Sequence, residues 1–309
     1  MIVAAGLTPA WQQTVLLDCL VPGEVNRARE LNWCASGKVI NVARALNTLS
    51  APSCAVVMVG GATGERIAAE FEAAGFAARW ITTRAATRVC TTLLDGSSGA
   101  STEIVENAAA VSDAELDAFA HAAAAERRAA DLIVLSGSLP DGAPSDYYAR
   151  LLAGGEAPAI LDGRGPELMA ALAHRPLLVK PNRQELAHTV GRAINDDRAL
   201  RAACRELIDA GAQWVLVTDG ARPATLVAPD EAWRLTPPAC EVVNAIGTGD
   251  CLTAALAHRV LSGDEMVTAA RYALAVGSAS ATTLLPARFD VGMLDRLANQ
   301  VRVERVSQT

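Results

Sequence analysis

"VVNAIGTGDCLTAALAHRVL", residues 242–261, decides how the chain is read. An apolar run ends, two glycines flank a threonine, an aspartate follows, and a long apolar helix begins. Gly247 and Gly249 let the backbone turn tightly and expose its N–H groups. At a helix N-terminus such groups form a site for anions. Asp250 lies at the same turn. A carboxylate there can take a proton from an attacking hydroxyl while the N–H groups hold developing phosphoryl charge. The same residues also read as an ordinary aspartate beside a helix N-cap. The stretch alone does not separate the two readings.

The rest of the chain repeats this strand-then-helix grammar. "CAVVMVG" (54–60) precedes "GERIAAEFEAAG", and "ADLIVLSG" (130–137) precedes "PSDYYARLLAGG". "APAILDG" (157–163) precedes "PELMAALAH", "PLLVKPN" (176–182) precedes "RQELAHTVG", and "AQWVLVTDG" (212–220) follows "DRALRAACRELIDAG". The last third reads as mostly helical. Continuous apolar strands alternating with amphipathic helices predict an α/β fold: a mostly parallel sheet covered on both faces. Two regions break the rhythm. Residues 11–33 and 87–106 read as β-hairpins around "VPGE" and "GSSGA". They predict a small second sheet, a lid able to close over a ligand and exclude water. The whole chain, 1–309, is expected to be one domain.

Composition narrows the function. The chain is 51% apolar and 20% charged, which is globular. Its net charge is −7 with no basic run, which argues against a nucleic-acid partner. No apolar stretch is long enough for a transmembrane helix. The opening "MIVAAGLTPAWQQ" lacks a charged n-region and reads as a first strand rather than a signal peptide. The seven cysteines are scattered without a C-x-x-C pair. They predict reduced thiols in a cytoplasmic protein, with no disulfide frame and no zinc site.

Two further stretches carry chemistry. In "LVKPNRQEL" (178–186), Asn182 and Glu185 fall on one face of a first helical turn. They read either as oxygen ligands for Mg²⁺ beside a nucleotide or as a capping box. "ASGKVINVARAL" (35–46) opens an apolar helix with Ser36, Gly37 and Lys38, and Asn41 projects one turn in. It is not a P-loop. "VGGATGERIAAEF" (59–71) lacks the spacing of a dinucleotide fingerprint and reads as close helix–strand packing or a sugar-facing turn. Of 27 basic side chains only Lys38 and Lys180 are lysines, and each lies in one of these stretches. Lysine and arginine are not interchangeable around phosphate.

Taken in order, these stretches resemble the ribokinase-like carbohydrate kinases, the PfkB family. The resemblance runs through "SGKVINVARAL", "VGGATG", "ATRVCTTLLD", "LSGSLP", "KPNRQEL" and "VTDGA" to "NAIGTGD" and "SASATTLLPARFD". "PGEVNRA", "TRVCTT" and "SGSLP" look most like the phosphosugar kinases: 1-phosphofructokinase, tagatose-6-phosphate kinase and the minor 6-phosphofructokinase. The resemblance implies a three-layer ribokinase-like sandwich and transfer of the ATP γ-phosphoryl to a sugar hydroxyl with Mg²⁺. It implies that Asp250 is the base and that Gly247, Thr248 and Gly249 form the anion hole. Asn182 and Glu185 would serve the metal. Lys180, Asn182, Thr218, Gly220 and Ser280 would line the nucleotide. Gln12, Gly37, Lys38, Asn41, Arg88 and Ser138 would face the sugar, with Lys38 and Arg88 near its phosphate. Arg27 or Arg29 would reach across a homodimer made by the lid sheets.

Some positions depart from the family. The usual N-P-A-x-D reads T-P-A-W-Q, with Gln12 at the aspartate position. G-G-K-G reads S-G-K-V, which adds side chains at Ser36 and Val39. The expected activity is phosphorylation of a phosphorylated ketohexose, 1-phosphofructokinase-like or tagatose-6-phosphate-specific. An unphosphorylated sugar or nucleoside as substrate, or a sugar-binding sensor of the same fold, are the alternatives.

Overall fold

In the computed structural model, which describes residues 1–307, the chain opens with strand β1 (Ile2–Gly6), buried along its whole length. Ile2 and Ala4 face one core, while Val3 and Ala5 face the other. A strand covered on both sides has no polar face, so its sequence is a continuous apolar run. β2 (Ala10–Leu17) and β3 (Glu30–Ser36) follow as a hairpin, then α1 (Lys38–Thr48), β4 (Ser53–Val59), α2 (Gly61–Ala73) and β5 (Ala78–Thr82). A second hairpin is β6 (Val89–Asp95) and β7 (Ser101–Val105). Alternation resumes with α3 (Asp113–Arg127), β8 (Leu132–Ser136), α4 (Tyr147–Leu152), β9 (Ala159–Asp162), α5 (Gly165–Ala171), β10 (Leu178–Val179), α6 (Arg183–Val190), α7 (Asp197–Asp209) and β11 (Trp214–Asp219). The chain ends with β12 (Arg222–Val227), β13 (Ala232–Thr236), α8 (Thr248–Leu261), α9 (Met266–Ala281), α10 (Leu294–Gln300) and β14 (Arg302–Val306).

Among the described residues, ten strands form the main sheet in the order β14-β13-β12-β11-β10-β9-β8-β1-β4-β5. From β11 to β5 the pairs are parallel, and β12, β13 and β14 add an antiparallel edge. The last third is therefore less helical than its composition suggests, because β14 returns from α10 to close that edge. One core holds α1, α2, α8 and α9, and the other holds α3, α4, α5 and α7. The chain leaves β1 toward β4 on one side and returns to β8 on the other. In open α/β sheets ligands bind outside the strand C-termini at such a reversal. Here the Thr8 hydroxyl donates to the Ser138 carbonyl (3.1 Å), bridging the ends of β1 and β8.

The small sheet has the order β3-β2-β6-β7, with β2 and β6 parallel. β2 begins at Ala10 and β3 continues to Ser36, opposite it, so the hairpin extends past the 11–33 boundary at both ends. Gly37 then turns the chain into α1 with φ +92°. A Cβ there would lie 2.8 Å from Pro9 Cα and 2.9 Å from Ala10 N. Only glycine tolerates both the dihedral and the contact.

Candidate active site

Two helix N-termini meet beyond the strand ends. Gly247, the N-cap of α8, has φ +81°, and a Cβ on it would approach Asn41 Nδ2 to 3.1 Å. Asn41 lies in the first turn of α1, so the glycine lets the two helices close on each other. Cys251 N donates to Gly247 O and begins the helical ladder. The N–H groups of Gly249 and Asp250 precede it and have no acceptor within the helix. Thr248 N reaches Ala245 O only at 3.4 Å. The helix dipole adds positive potential at the same point.

Asp250 is buried, and its Oδ2 accepts a 2.7 Å hydrogen bond from Asn41 Nδ2. The Ser36 hydroxyl donates to Asn41 Oδ1 (3.2 Å). That second bond fixes which end of the amide faces Asp250, since an amide has one accepting and one donating end. Burial pushes the Asp250 carboxyl above the usual range, and the charge of Asp162 adds to the effect. Lys38, the Asn41 hydrogen bond and Lys180 oppose it. A raised carboxylate is a stronger base, which suits it to accept a hydroxyl proton near neutral pH.

Around Asp250 lies an alternating charge cluster. Asp162, at the end of β9, is completely buried. Lys38 Nζ bonds its Oδ1 at 2.7 Å, and Lys180 Nζ lies 3.1 Å from its Oδ2. The Thr253 hydroxyl donates to the same Oδ2 at 2.8 Å. Burial opposes ionisation of Asp162, but Lys180 and Lys38 outweigh it and hold the carboxyl below the usual range. Lys38 Nζ also bonds Glu185 Oε1 at 2.7 Å. Burial would lower the Lys38 pKa, yet Asp162, Glu185 and Asp250 together raise it, so the ammonium stays charged. Lys180 lies at the C-terminal end of β10, and a Cβ on Gly249 would stand 3.4 Å from its Nζ. Both lysines of the chain thus converge on one buried aspartate.

At the start of α6 Asn182 and Glu185 form the capping box that the sequence offered as one of its two readings. Asn182 Oδ1 accepts from Glu185 N, and Glu185 Oε2 accepts from Asn182 N, each at 2.8 Å, which is a capping box. Glu185 Oε1 faces Lys38 within the cluster. Oxygen donors of this kind suit Mg²⁺, which takes one or two carboxylates and completes its shell with waters and substrate phosphates. Thr218 lies beside Asn182 at the end of β11, and Gly220 forms the open β11–β12 turn with φ +58°.

The structure revises the expected surroundings of several residues. Lys38 does not stand free as a point charge for a sugar phosphate, because Asp162 and Glu185 hold its ammonium. Arg88 directs its guanidinium to the carbonyls of Thr8 (3.0 Å), Glu106 (3.2 Å) and Pro9 (3.3 Å). It ties the small sheet to the end of β1 rather than presenting an unoccupied fork. Gln12 is buried, and its Nε2 donates to Thr92 Oγ1 (2.9 Å) and Gln13 O (3.0 Å) inside the small sheet. Ser280, expected along the nucleotide, is buried in α9 and accepts the Cys251 thiol of α8 at 3.3 Å. Arg27 and Arg29 lie in the exposed β2–β3 connection, where Arg29 pairs with Asp18 at 3.5 Å.

Sequence reading missed Asp162 and Thr253. The available signal for Asp162 was a carboxylate closing an apolar strand in "AILDG", at the end where parallel sheets bind ligands. Thr253 sits one turn into α8, where an isolated threonine carries no signal.

A family model described as "pfkB family carbohydrate kinase" matches residues 2–288. A structure of a putative phosphofructokinase from Staphylococcus aureus is 26% identical, with 99% of each chain covered and a TM-score of 0.78. Phosphofructokinase-2 from Escherichia coli, solved with substrates and products, is 25% identical over 96% of this chain and 98% of that one, with a TM-score of 0.85. A possible 1-phosphofructokinase from Thermotoga maritima is 19% identical over 99% of this chain and all of that one; its TM-score of 0.90 speaks to the fold alone. Ribokinase from Arabidopsis thaliana, 21% identical over 96% of this chain and 98% of that one, superposes with a TM-score of 0.72, so the large mostly parallel sheet with its small companion is the ribokinase-like fold. A match over nearly the whole length, on a chain whose glycine turn, buried aspartate and paired lysines converge at the strand ends, means that the chain belongs to the pfkB family of carbohydrate kinases.

Proposed function

We propose that the chain transfers the γ-phosphoryl group of ATP to a hydroxyl of a phosphorylated ketohexose. Fructose 1-phosphate is the first candidate and tagatose 6-phosphate the second. The observation that carries the reading is the placement of Asp250: buried, oriented by Asn41, and set at the open N-terminus of α8. In this reading Asp250 takes the proton of the attacking hydroxyl. The free N–H groups of the α8 turn hold charge that develops on the transferring group. Phosphoryl transfer asks the protein for positioning and charge stabilisation more than for covalent chemistry. Glu185, with Asn182 beside it and Asp162 across the Lys38 ammonium, would hold Mg²⁺. Bound there with the nucleotide, the ion would neutralise phosphate charge. Lys180, Thr218 and Gly220 would lie along the nucleotide.

The small sheet would act as the lid and as the contact in a homodimer. Trp11 and Trp33 stack at 6.2 Å, and Trp33, Leu31 and Ile104 are exposed apolar side chains on that sheet. Exposed apolar side chains grouped on one element are typical of protein contacts. Arg27 and Arg29, exposed in the adjoining β2–β3 connection, would reach a second copy. The proposed setting is cytoplasmic, resting on seven cysteines scattered along the sequence without a C-x-x-C pair; among the described residues no helix is long and apolar enough to cross a membrane.

A second reading has one specific observation behind it. Lys38 and Arg88, the residues assigned to a sugar phosphate, are both engaged by protein groups. That favours an unphosphorylated sugar. ADP release with Mg-ATP, measured against fructose 1-phosphate, fructose 6-phosphate, tagatose 6-phosphate, fructose, ribose and adenosine, separates the two. Turnover on one phosphoketose, lost in Asp250→Asn, is the expected result. Turnover on neutral sugars alone replaces it with the second reading. Sugar binding without ADP formation points to a sensor.

A further inference from the structure

The Lys38 ammonium occupies an unusual position. It lies 2.7 Å from Asp162 Oδ1 and 2.7 Å from Glu185 Oε1, so two of its three N–H donors bridge two carboxylates. Asp162 belongs to β9, Glu185 to α6 and Lys38 to α1, so three separate elements close on one cation. The other oxygen of Asp162 is already taken by Lys180 and Thr253, and the other oxygen of Glu185 by the Asn182 backbone. The oxygens facing Lys38 are therefore the ones the fold leaves to a mobile cation. The Lys38 side chain is 31% exposed, while that of Lys180 is 3% exposed. Lys38 has solvent to swing into and Lys180 does not.

We propose that Lys38 is a tethered cation that competes with the divalent metal for Asp162 and Glu185. This inference rests on the kinase reading for its purpose. Without a metal–nucleotide complex the ammonium neutralises the carboxylate pair and keeps the cluster intact. When a divalent ion arrives, like charges cannot share the space between the same two oxygens. The flexible lysine stem then turns the ammonium outward, where it can meet an anionic substrate. An arginine would keep the charge, but its planar fork does not fit as a point charge between two oxygens and clears the site less readily. Metal binding and anion binding become coupled, each favouring the other, as linkage requires.

The test is titration of Mn²⁺ into nucleotide-free protein, with free Mn²⁺ read by electron paramagnetic resonance. Lys38→Met and Lys38→Gln are expected to bind Mn²⁺ at least tenfold more tightly than wild type. Lys38→Arg, which keeps the charge, is expected to stay as weak as wild type. Unchanged or weaker binding in both neutral variants overturns the proposal. Tightening that survives the addition of Asp162→Asn and Glu185→Gln also overturns it, because the ion is then elsewhere. The kinase reading is checked separately. Wild-type turnover with unchanged Mn²⁺ affinity in Lys38→Met removes the competition and leaves the kinase. Tightened Mn²⁺ binding without turnover on any acceptor supports the competition and sinks the kinase reading.

Discussion

Asn41 Nδ2 donates to Asp250 Oδ2 across 2.7 Å, joining residues 209 positions apart at the first turns of α1 and α8. The bond ties the proposed base to the same helix that carries Lys38. It also sets a balance between activity and stability that can be measured.

The first prediction concerns Asp250→Asn. Loss of a general base costs roughly 10²–10⁴ in rate. Stability should move the other way. The folded pKa of Asp250 is raised above its unfolded value, so the folded state prefers the protonated acid and loses stability as pH rises through that pKa. Asparagine never ionises. Each unit of upward displacement corresponds to about 1.4 kcal/mol, so at pH 8 the variant should melt roughly 2–5 °C higher. Below the unfolded carboxyl pKa the advantage should vanish. Thermal melts at pH 8 and pH 3.5 check this; a variant no more stable at pH 8 would count against the buried-charge argument.

The pH profile of kcat/KM gives the second. The acid limb should report Asp250 and lie above the ordinary carboxylate range, since only the ionised form accepts a proton. Asp162 raises that pKa, so Asp162→Asn should move the limb to lower pH, by about one unit for a neighbouring charge. The remaining charges of Lys38 and Lys180 push in the same direction. A limb that stays in place or moves upward would remove Asp250 as its source.

Gly37→Ala should fail for steric reasons that composition cannot reveal. The added methyl meets the backbone of Pro9 and Ala10 under 3 Å, at a φ that disfavours side chains. Strain of this kind costs about 1–3 kcal/mol, and the start of α1 shifts with it. Both Tm and sugar affinity should fall. Gly75→Ala, at a similar φ of +70° but with nothing within 4 Å, should lower Tm modestly and leave KM unchanged.

Arg88→Lys tests how the small sheet is anchored. One ammonium cannot span the three carbonyls that the guanidinium reaches. Hydrogen exchange should speed up in β7 and at the start of β2, while β8 in the main sheet keeps its protection. Unchanged exchange in β7 would show that the sheet is held by other contacts.

Much of the molecule was legible from local chemistry. β1, β4, β8 and β9 are continuous apolar runs because both faces are covered, and the two hairpins announce themselves through Gly and Ser turns. Asn182 and Glu185 form their capping box within four residues, and Gly247 ends its loop in the left-handed region only three residues before Asp250. These features depend on neighbours along the chain. The antiparallel β12–β14 edge was not legible, because β14 pairs with β13 across more than sixty residues of helix and loop.

The sequence by itself determined the strand–helix rhythm, the turn that sets Asp250 at a helix start, and the rarity of lysine outside two motifs. Each follows from side-chain volume, backbone freedom or charge at adjacent positions. Only the tertiary structure decided who answers those charges. Lys38 meets Asp162 and Glu185 from 124 and 147 positions away, because β9 and β10 lie side by side and the first residue of α1 reaches across to the groups at their C-terminal ends. Arg88 was free to face a ligand until the fold offered it three backbone carbonyls, and Ser280 until α9 packed on α8. A buried charge takes whatever partner the packing brings within about 3 Å, and that partner is set by which strand ends become neighbours rather than by anything near the residue in the chain.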